Sequence, residues 1–144
     1  VSPSNDKNIN IIMWMDHRAS YETDFINDTK YEGLKSVGGK ISIEMDPPKI
    51  LWLKNHMYEN SYSKIAHFFS LPDYLVWRMS TYNIRSVCTT TCKWLFNSEL
   101  KKWDEKFWRI IGLGDLVEEN FSKIGSIIKK PFEFDENLKI SKEC

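Results

Sequence analysis

The sequence has little of what marks secreted, membrane-spanning or nucleic-acid-binding proteins. It has three cysteines in 144 residues, and an odd number of thiols does not form a disulfide framework, which indicates a reducing, cytoplasmic compartment. The longest apolar run, Ile11 to Met15, is far too short to cross a bilayer, and no signal-peptide pattern opens the chain. Twenty basic residues balance twenty acidic ones, so no field of one sign attracts nucleic acid or an anionic membrane. We therefore expect a partner that is neutral or recognised locally.

The sequence also lacks a metal pattern and a phosphate-binding loop. Cys88 and Cys92 are four residues apart, but no histidine lies near enough to complete a zinc site, and we interpret both as buried thiols. The paired glycines do not have the spacing of a nucleotide fingerprint: Gly38, Gly39, Gly112 and Gly114. We predict no catalytic residue, cofactor-binding residue or metal ligand within this chain.

What the chain does have is a globular composition. Apolar residues make up 42% and aromatic residues 14%, which argues against disorder. At this length one domain would bury roughly two thirds of its unfolded surface.

The most informative stretch runs from Gly38 to His56. Ile41, Ile43 and Met45 alternate as in a short strand, which would place Glu44 on the opposite, edge-facing side. Asp46 then suits an N-cap and Pro47 the first helical position. The pattern predicts a carboxylate held just ahead of a firmly started helix.

A second prediction concerns the amino-terminal segment. Ile9 to Met15 is almost wholly apolar, as in a strand covered on both faces, and Asp16 would cap a helix running to about Thr29. Trp14 would then lie at the carboxyl end of a strand, where α/β sheets bind ligands. Core packing and ligand contact both fit Trp14, whereas for Asp16 and Arg18 we favour capping and a bridge across the turn.

The periodicity of the helix after Asp16 predicts which side chains face the protein and which face water. The predicted inward set is Ala19, Tyr21, Phe25 and Ile26, and the outward set is Glu22, Asp24 and Asp28.

Further along the chain, His67 to Phe69 reads as a buried strand, and Asp73 as the cap of a buried helix. The threonines and cysteines of the segment from Ile84 to Asn97 argue against a helix there. Lys93 in that segment must reach water or meet a partner, and composition alone favours water. Asp104 caps the clearest helix, which a glycine ends.

Several of these motifs resemble the FGGY carbohydrate kinases. PPKILWLKNH, preceded by VGGKISIEM, resembles the first signature region of that family, and WMDHRA, LPDYLVWRM and WDEKFWRIIGL are similar to further family segments in family order. The resemblance covers Asn10 to Pro131. It implies an α/β fold, part of an actin-like, ribonuclease H-like ATPase lobe, with residues 1–131 a partial N-terminal domain and residues 132–144 a polar tail or a truncated continuation.

The resemblance also implies a function. The family transfers a phosphoryl group from ATP, with Mg, to a sugar hydroxyl, and we expect ATP and Mg to be bound mainly by parts absent from this chain. Glutamate at position 44 resembles the ribulokinase-like branch and leans toward a ketopentose such as D-ribulose. By the same resemblance, Glu44, Lys93 and Trp14 are the expected substrate-binding residues. We expect the chain alone to be inactive; the alternative is a non-catalytic interaction module without the phosphate-transfer machinery.

Overall fold

The structure is a computed structural model that describes Asp6 and residues 10–133, and it is mainly helical. Within these residues the helices are α1 (Ser20–Asp28), α2 (Asp46–His56), α3 (Leu71–Ser80), α4 (Val87–Trp94), α5 (Glu105–Ile110) and α6 (Gly114–Glu118). Two 3₁₀ helices lie at Glu32–Val37 and Tyr62–Lys64. Helix α1 packs on α2, α2 on α4, and α5 on α6.

The described residues form one small sheet. Strand β1 (Arg85–Ser86) pairs in parallel with β2 (Ile128–Lys129), with Arg85 opposite Ile128. This is a mixed α and β architecture, consistent with the expected lobe, but the sheet is smaller than the sequence predicts.

The predicted strands at residues 9–15, 41–45 and 67–69 are not present where the structure describes them; Ile9 lies outside the described residues. Residues 13–16 and 42–45 instead close turns, in which Asp16 N donates to Met13 O and Met45 N to Ser42 O, each at 3.0 Å. The amide of Phe68 donates to Lys123 O at 2.7 Å, a single bond rather than a ladder. A strand needs a neighbour for its backbone groups, and apolar composition alone does not supply one.

The inward face of α1 differs from the prediction. Ala19 and Ile26 are buried as expected, but Tyr21 is 75% exposed and Glu22 only 1% exposed. Asp16 does not cap the helix, because α1 begins at Ser20 and Asp16 instead accepts hydrogen bonds from Arg18. The buried set, spaced at i, i+3, i+4 and i+7, is Ala19, Glu22, Thr23 and Ile26.

Four predictions between residues 70 and 94 are also wrong. Ser70 is the N-cap of α3, and Asp73 lies within that helix and accepts from Ser86 N at 2.8 Å. Helix α3 is largely exposed on the side of Tyr74, Leu75 and Met79. Residues 87–94 form α4 despite their threonines; Thr90 is buried, and its hydroxyl is satisfied by donating to Ser86 O at 2.8 Å. Cys88 and Cys92 on α4 are exposed rather than buried.

The apolar core is concentrated around α5, α6 and the inner side of α2. Asp104 caps α5 as predicted, since its Oδ1 accepts from Phe107 N at 3.3 Å. The core side chains that are almost wholly inaccessible come from distant parts of the sequence: Ile26, Leu34, Leu53, Tyr62, Phe107, Trp108, Ile111, Leu113, Leu116 and Ile124. Burial on this scale holds α2 in place and thereby fixes the residues that its outer side presents.

Candidate functional site

The loop that carries Glu44 is attached to α1 by one asparagine. Asn27 accepts from Ile41 N at 2.7 Å and donates to Ile41 O at 3.1 Å, so its side chain satisfies both main-chain groups of that residue. Ahead of this bond, Gly38 has a φ of 86°, a left-handed conformation that favours glycine. The loop then turns at residues 42–45, where Glu44 is half-buried immediately before α2.

Helix α2 begins one residue earlier than the sequence predicts. Met45 is the N-cap, and Asp46 is the first helical residue, followed by Pro47 and Pro48. Asp46 therefore does not cap through its side chain. One turn in from this start, Lys49 is 9% exposed, a degree of burial that is uncommon for lysine.

Lys49 connects α2 to the turn that contains Trp14. Its Nζ donates to the carbonyl oxygens of Met13 and Trp14, each at 2.8 Å. Its ammonium group also interacts electrostatically with Glu44 and Lys93. Of the three predicted substrate residues, Trp14 is bound directly to Lys49 through its main chain, whereas Glu44 attracts and Lys93 repels the ammonium group.

The side chains of the predicted residues differ in exposure. Trp14 is 62% exposed, in a turn rather than at a strand end, and Lys93 is exposed on α4. Glu44 is only half-buried. All three side chains thus retain access to solvent, which a ligand-binding role requires.

A second attachment holds the turn that contains Trp14. Arg18 Nε donates to both carboxylate oxygens of Asp16, at 3.0 and 2.9 Å, and its guanidinium lies 4.5 Å from the centre of the Trp52 ring on α2. The hydrogen bonds from Arg18 lower the pKa of Asp16. The bridge that the sequence predicts for Arg18 is confirmed.

The ionisable groups near the start of α2 shift each other's pKa values. Burial raises the pKa of Asp46 to about 7, opposed by attraction from Lys49 and then Lys93, and reinforced by repulsion from Asp73. Burial lowers the pKa of Lys49, and the carboxylates of Asp46, Asp16 and Glu44 oppose that change. The site thus combines acceptors and donors in partly water-excluded surroundings, the composition that binds polyhydroxylated ligands.

The enclosed space here is small. A cavity of about 10 Å³ lies between Lys49, Asp16, Arg18 and Trp52, room for about one water molecule. It does not hold a sugar. A sugar contacted by Glu44, Lys93 and Trp14 would therefore lie on the open side of this surface.

Sequence reasoning missed Lys49, Asp46 and Asn27 as parts of the site. A signal was present for Lys49, because a lysine placed among Pro48, Ile50 and Leu51 on an apolar helix needs a partner. For Asn27 no such signal exists, because its two hydrogen bonds are to the main chain of Ile41, which has no side-chain pattern.

Among residues 10–133 no group of three or more histidine, cysteine, aspartate or glutamate side chains is arranged to hold a metal ion. None of the helices in that part of the chain is long and apolar enough to span a membrane. No reaction step is assigned here to a metal or a nucleotide.

Comparison with known proteins identifies relatives along most of the chain. Residues 4–128 match the N-terminal domain model of the FGGY family of carbohydrate kinases. An FGGY carbohydrate kinase domain-containing protein of Homo sapiens is 46% identical over 131 residues, 91% of this chain and 24% of the relative. The protein of the same description in Xenopus laevis is 48% identical over 122 residues, 85% of this chain and 22% of the relative.

A further relative has a named substrate. A D-ribulokinase of Saccharomyces cerevisiae is 39% identical over 137 residues, 91% of this chain and 19% of the relative. The chain thus spans no more than about a quarter of the length of the curated relatives it matches.

Proposed function

The chain belongs to the FGGY family of carbohydrate kinases, and from this we propose that the protein carrying it phosphorylates a hydroxyl of a ketopentose such as D-ribulose, using ATP and Mg. The observation that carries the proposal is the position of Glu44, half-buried at the start of α2 and within electrostatic reach of Lys49. Similarity to a D-ribulokinase along 91% of the chain supports the choice of sugar.

Each predicted residue has a role that its surroundings support. Glu44 accepts hydrogen bonds from sugar hydroxyls, because a carboxylate is an acceptor with several lone pairs. Lys93 donates to a hydroxyl or to the carbonyl oxygen of the sugar. The exposed indole of Trp14 packs against the carbon skeleton, as aromatic side chains commonly do in ligand sites.

The remaining chemistry belongs to other parts of the protein. Phosphoryl transfer needs a base for the attacking hydroxyl and a set of donors and metal ions around the phosphates. We assign this chain a part of the sugar-binding surface through Glu44, Lys93 and Trp14, and we predict no turnover by the chain alone, since it spans no more than about a quarter of the length of its curated relatives. A cytoplasmic location also stays a prediction.

A substrate panel tests this proposal. The complete natural protein that contains this sequence is assayed for ADP formation with D-ribulose, D-xylulose, ribitol and glycerol. We expect the highest kcat/KM with D-ribulose, and none above background with the isolated chain. Equal or greater efficiency with glycerol would contradict the ketopentose assignment, and no ADP formation with any sugar would contradict the kinase assignment.

A second candidate, a non-catalytic interaction module, is favoured by one observation. Helix α3 exposes a row of large apolar side chains at Leu71, Tyr74, Leu75 and Met79, each at least 40% accessible. Exposed apolar surface of this kind is typical of an interface. Activity in the substrate panel separates the two candidates, since a module has none.

A further inference from the structure

The ammonium group of Lys49 is bound chiefly to main-chain oxygen. Two of its three protons are donated to consecutive carbonyls, Met13 O and Trp14 O, both at 2.8 Å. These carbonyls belong to the two peptide groups that flank the Trp14 Cα, so binding to one ammonium group fixes the orientation of both peptide groups. The main chain on both sides of the Trp14 amide is therefore set by a side chain 35 residues away in sequence.

Because Lys49 is buried, its ammonium group depends on these two hydrogen bonds. With 9% of its surface accessible, Lys49 has given up most of its hydration, and an ammonium group in such surroundings needs hydrogen-bond acceptors and nearby negative charge. The carbonyls supply the acceptors, and Asp16, Glu44 and Asp46 supply the charge. Hydrogen bonds to a charged group contribute more than neutral ones, so loss of the ammonium group should loosen the turn, which Asp16 and Arg18 still hold.

The segment of α2 that carries Lys49 is firmly packed, whereas the side chains of Met13 and Trp14 are not. Lys49 is followed in α2 by Ile50, Leu51 and Leu53, all 4% exposed or less. In contrast, Met13 and Trp14 are 56% and 62% exposed, so apolar packing does little to hold them. The main chain at Trp14 is therefore held by polar contacts: the two hydrogen bonds from Lys49, the bond from Asp16 N to Met13 O, and the attachment through Asp16 and Arg18.

We propose that Lys49 is a positioning residue that holds the main chain at Trp14 and so limits where its indole can lie. The inference that this placement serves sugar binding rests on the function proposed above. Lys49 itself need not touch the sugar, because its two hydrogen bonds are already directed at protein carbonyls.

The first experiment measures the position of Trp14 without any sugar. The complete natural protein is labelled with 5-fluorotryptophan, and the Trp14 resonance is assigned by its loss in Trp14→Phe. In Lys49→Met we expect the Trp14 resonance to shift and broaden while the resonances of the buried Trp103 and Trp108 stay in place. An unchanged Trp14 resonance would overturn the proposal.

Helix α2 provides a matched control. Lys54 also lies on α2 and also donates to a main-chain oxygen at 2.8 Å, but its acceptor is Gly112 O, far from Trp14 in sequence. Lys54→Met should leave the Trp14 resonance where it is. A shift of equal size in this control would show a general effect of losing a helix lysine and would also overturn the proposal.

A measurement on the unaltered protein keeps the proposal testable if Lys49→Met does not fold. With ¹⁵N-labelled lysine, the Lys49 ammonium protons should exchange slowly enough to be observed and should show nuclear Overhauser effects to the main chain of residues 13 and 14. Rapid exchange with no such effects would contradict the two hydrogen bonds.

Kinetics separates this proposal from the proposed function. We expect Lys49→Met to raise the KM for D-ribulose about tenfold with kcat and the KM for ATP nearly unchanged, the pattern of lost uniform binding. A shifted Trp14 resonance with an unchanged sugar KM would confirm the positioning and contradict the role of Trp14 in the sugar site. An unshifted resonance with an altered KM would contradict the positioning alone.

Discussion

Two parts of the molecule are stabilised by different interactions. We call the part around α5 and α6 the aromatic half and the part around Lys49 the charged half. The first is apolar and aromatic: Trp103, Trp108 and Phe121 pack with ring centres 5.6 to 6.5 Å apart. The second consists of ammonium, guanidinium and carboxylate groups that interact with each other and with main-chain oxygen. Apolar packing is tolerant and additive, whereas a charged cluster depends on each partner being present.

The two halves also differ in whether their polar side chains are accessible to a ligand. In the aromatic half, the Tyr62 hydroxyl donates to Asp115 at 2.6 Å and Lys54 donates to the same carboxylate at 2.7 Å, so these polar groups are paired within the protein. Around Lys49, the side chains of Glu44, Lys93 and Trp14 remain accessible to solvent. Substitutions in the two halves should therefore affect different measured quantities.

The largest expected effect is on stability in the aromatic half. Trp108 is 0% exposed, and Trp108→Ala should lower the free energy of unfolding by about 3–5 kcal/mol, because it leaves a large cavity. Trp108→Phe should cost much less, since the indole NH that it removes has no hydrogen-bond partner. Denaturant unfolding of the purified chain measures both. Equal losses for the two variants would contradict an effect of ring volume.

The second effect is a pH dependence that originates in the charged half. The pKa of Asp46 is raised from 3.8 to about 7 by burial, so its stabilising contribution is complete below about pH 4 and is lost as the pH rises through 7. Between pH 5 and pH 8 the chain should lose about 2–3 kcal/mol of unfolding free energy through this group.

Asp46→Asn removes that titration and should flatten the pH dependence, as measured by denaturant unfolding at the two pH values. The exposed Asp24 on α1 provides the control, and Asp24→Asn should keep the slope of the unaltered chain. Parallel losses in the unaltered chain and in Asp46→Asn would show that Asp46 is not the group responsible.

The third effect is smaller and belongs to the aromatic half. Asp104 caps α5 and accepts from the Tyr31 hydroxyl at 2.8 Å, and burial together with that bond raises the pKa of Tyr31 to about 12. Asp104→Ala should cost about 1–2 kcal/mol of unfolding free energy. Asp104→Asn, which retains an acceptor, should recover most of it, and thermal unfolding of both variants checks this. No loss in Asp104→Ala would contradict the cap.

The sequence predicts the aromatic half better than the charged half, for a physical reason. The cap at Asp104 follows from spacing within one turn of helix, so it can be read from neighbouring residues. The same spacing predicts an apolar face of Phe107, Ile110 and Ile111, of which Phe107 and Ile111 are buried but Ile110 is 41% exposed. The contact between Lys49 and Trp14 joins residues 35 positions apart through main-chain oxygen, which has no side-chain signature.

The wrong predictions have the same origin. The apolar run at residues 11–15 was compatible with a strand, but no partner strand lies beside it in the described chain, and the exposed Ile11 shows that it is not covered there. Glu22 reads as a surface carboxylate, yet its Oε1 lies 3.3 Å from the side-chain nitrogen of Asn55 and 3.6 Å from His56 Nδ1, both at the end of α2. The family, by contrast, was identifiable from motifs because these persist in sequence order.

The most direct test of the sugar-binding role is kcat/KM for D-ribulose in the complete natural protein with Glu44→Ala. Since Glu44 is a solvent-accessible acceptor, we expect a loss of about 10- to 100-fold with little change in unfolding free energy. The exposed Glu99 serves as the control, and Glu99→Ala should retain the original efficiency. An efficiency in Glu44→Ala equal to that of the Glu99→Ala control would contradict the account.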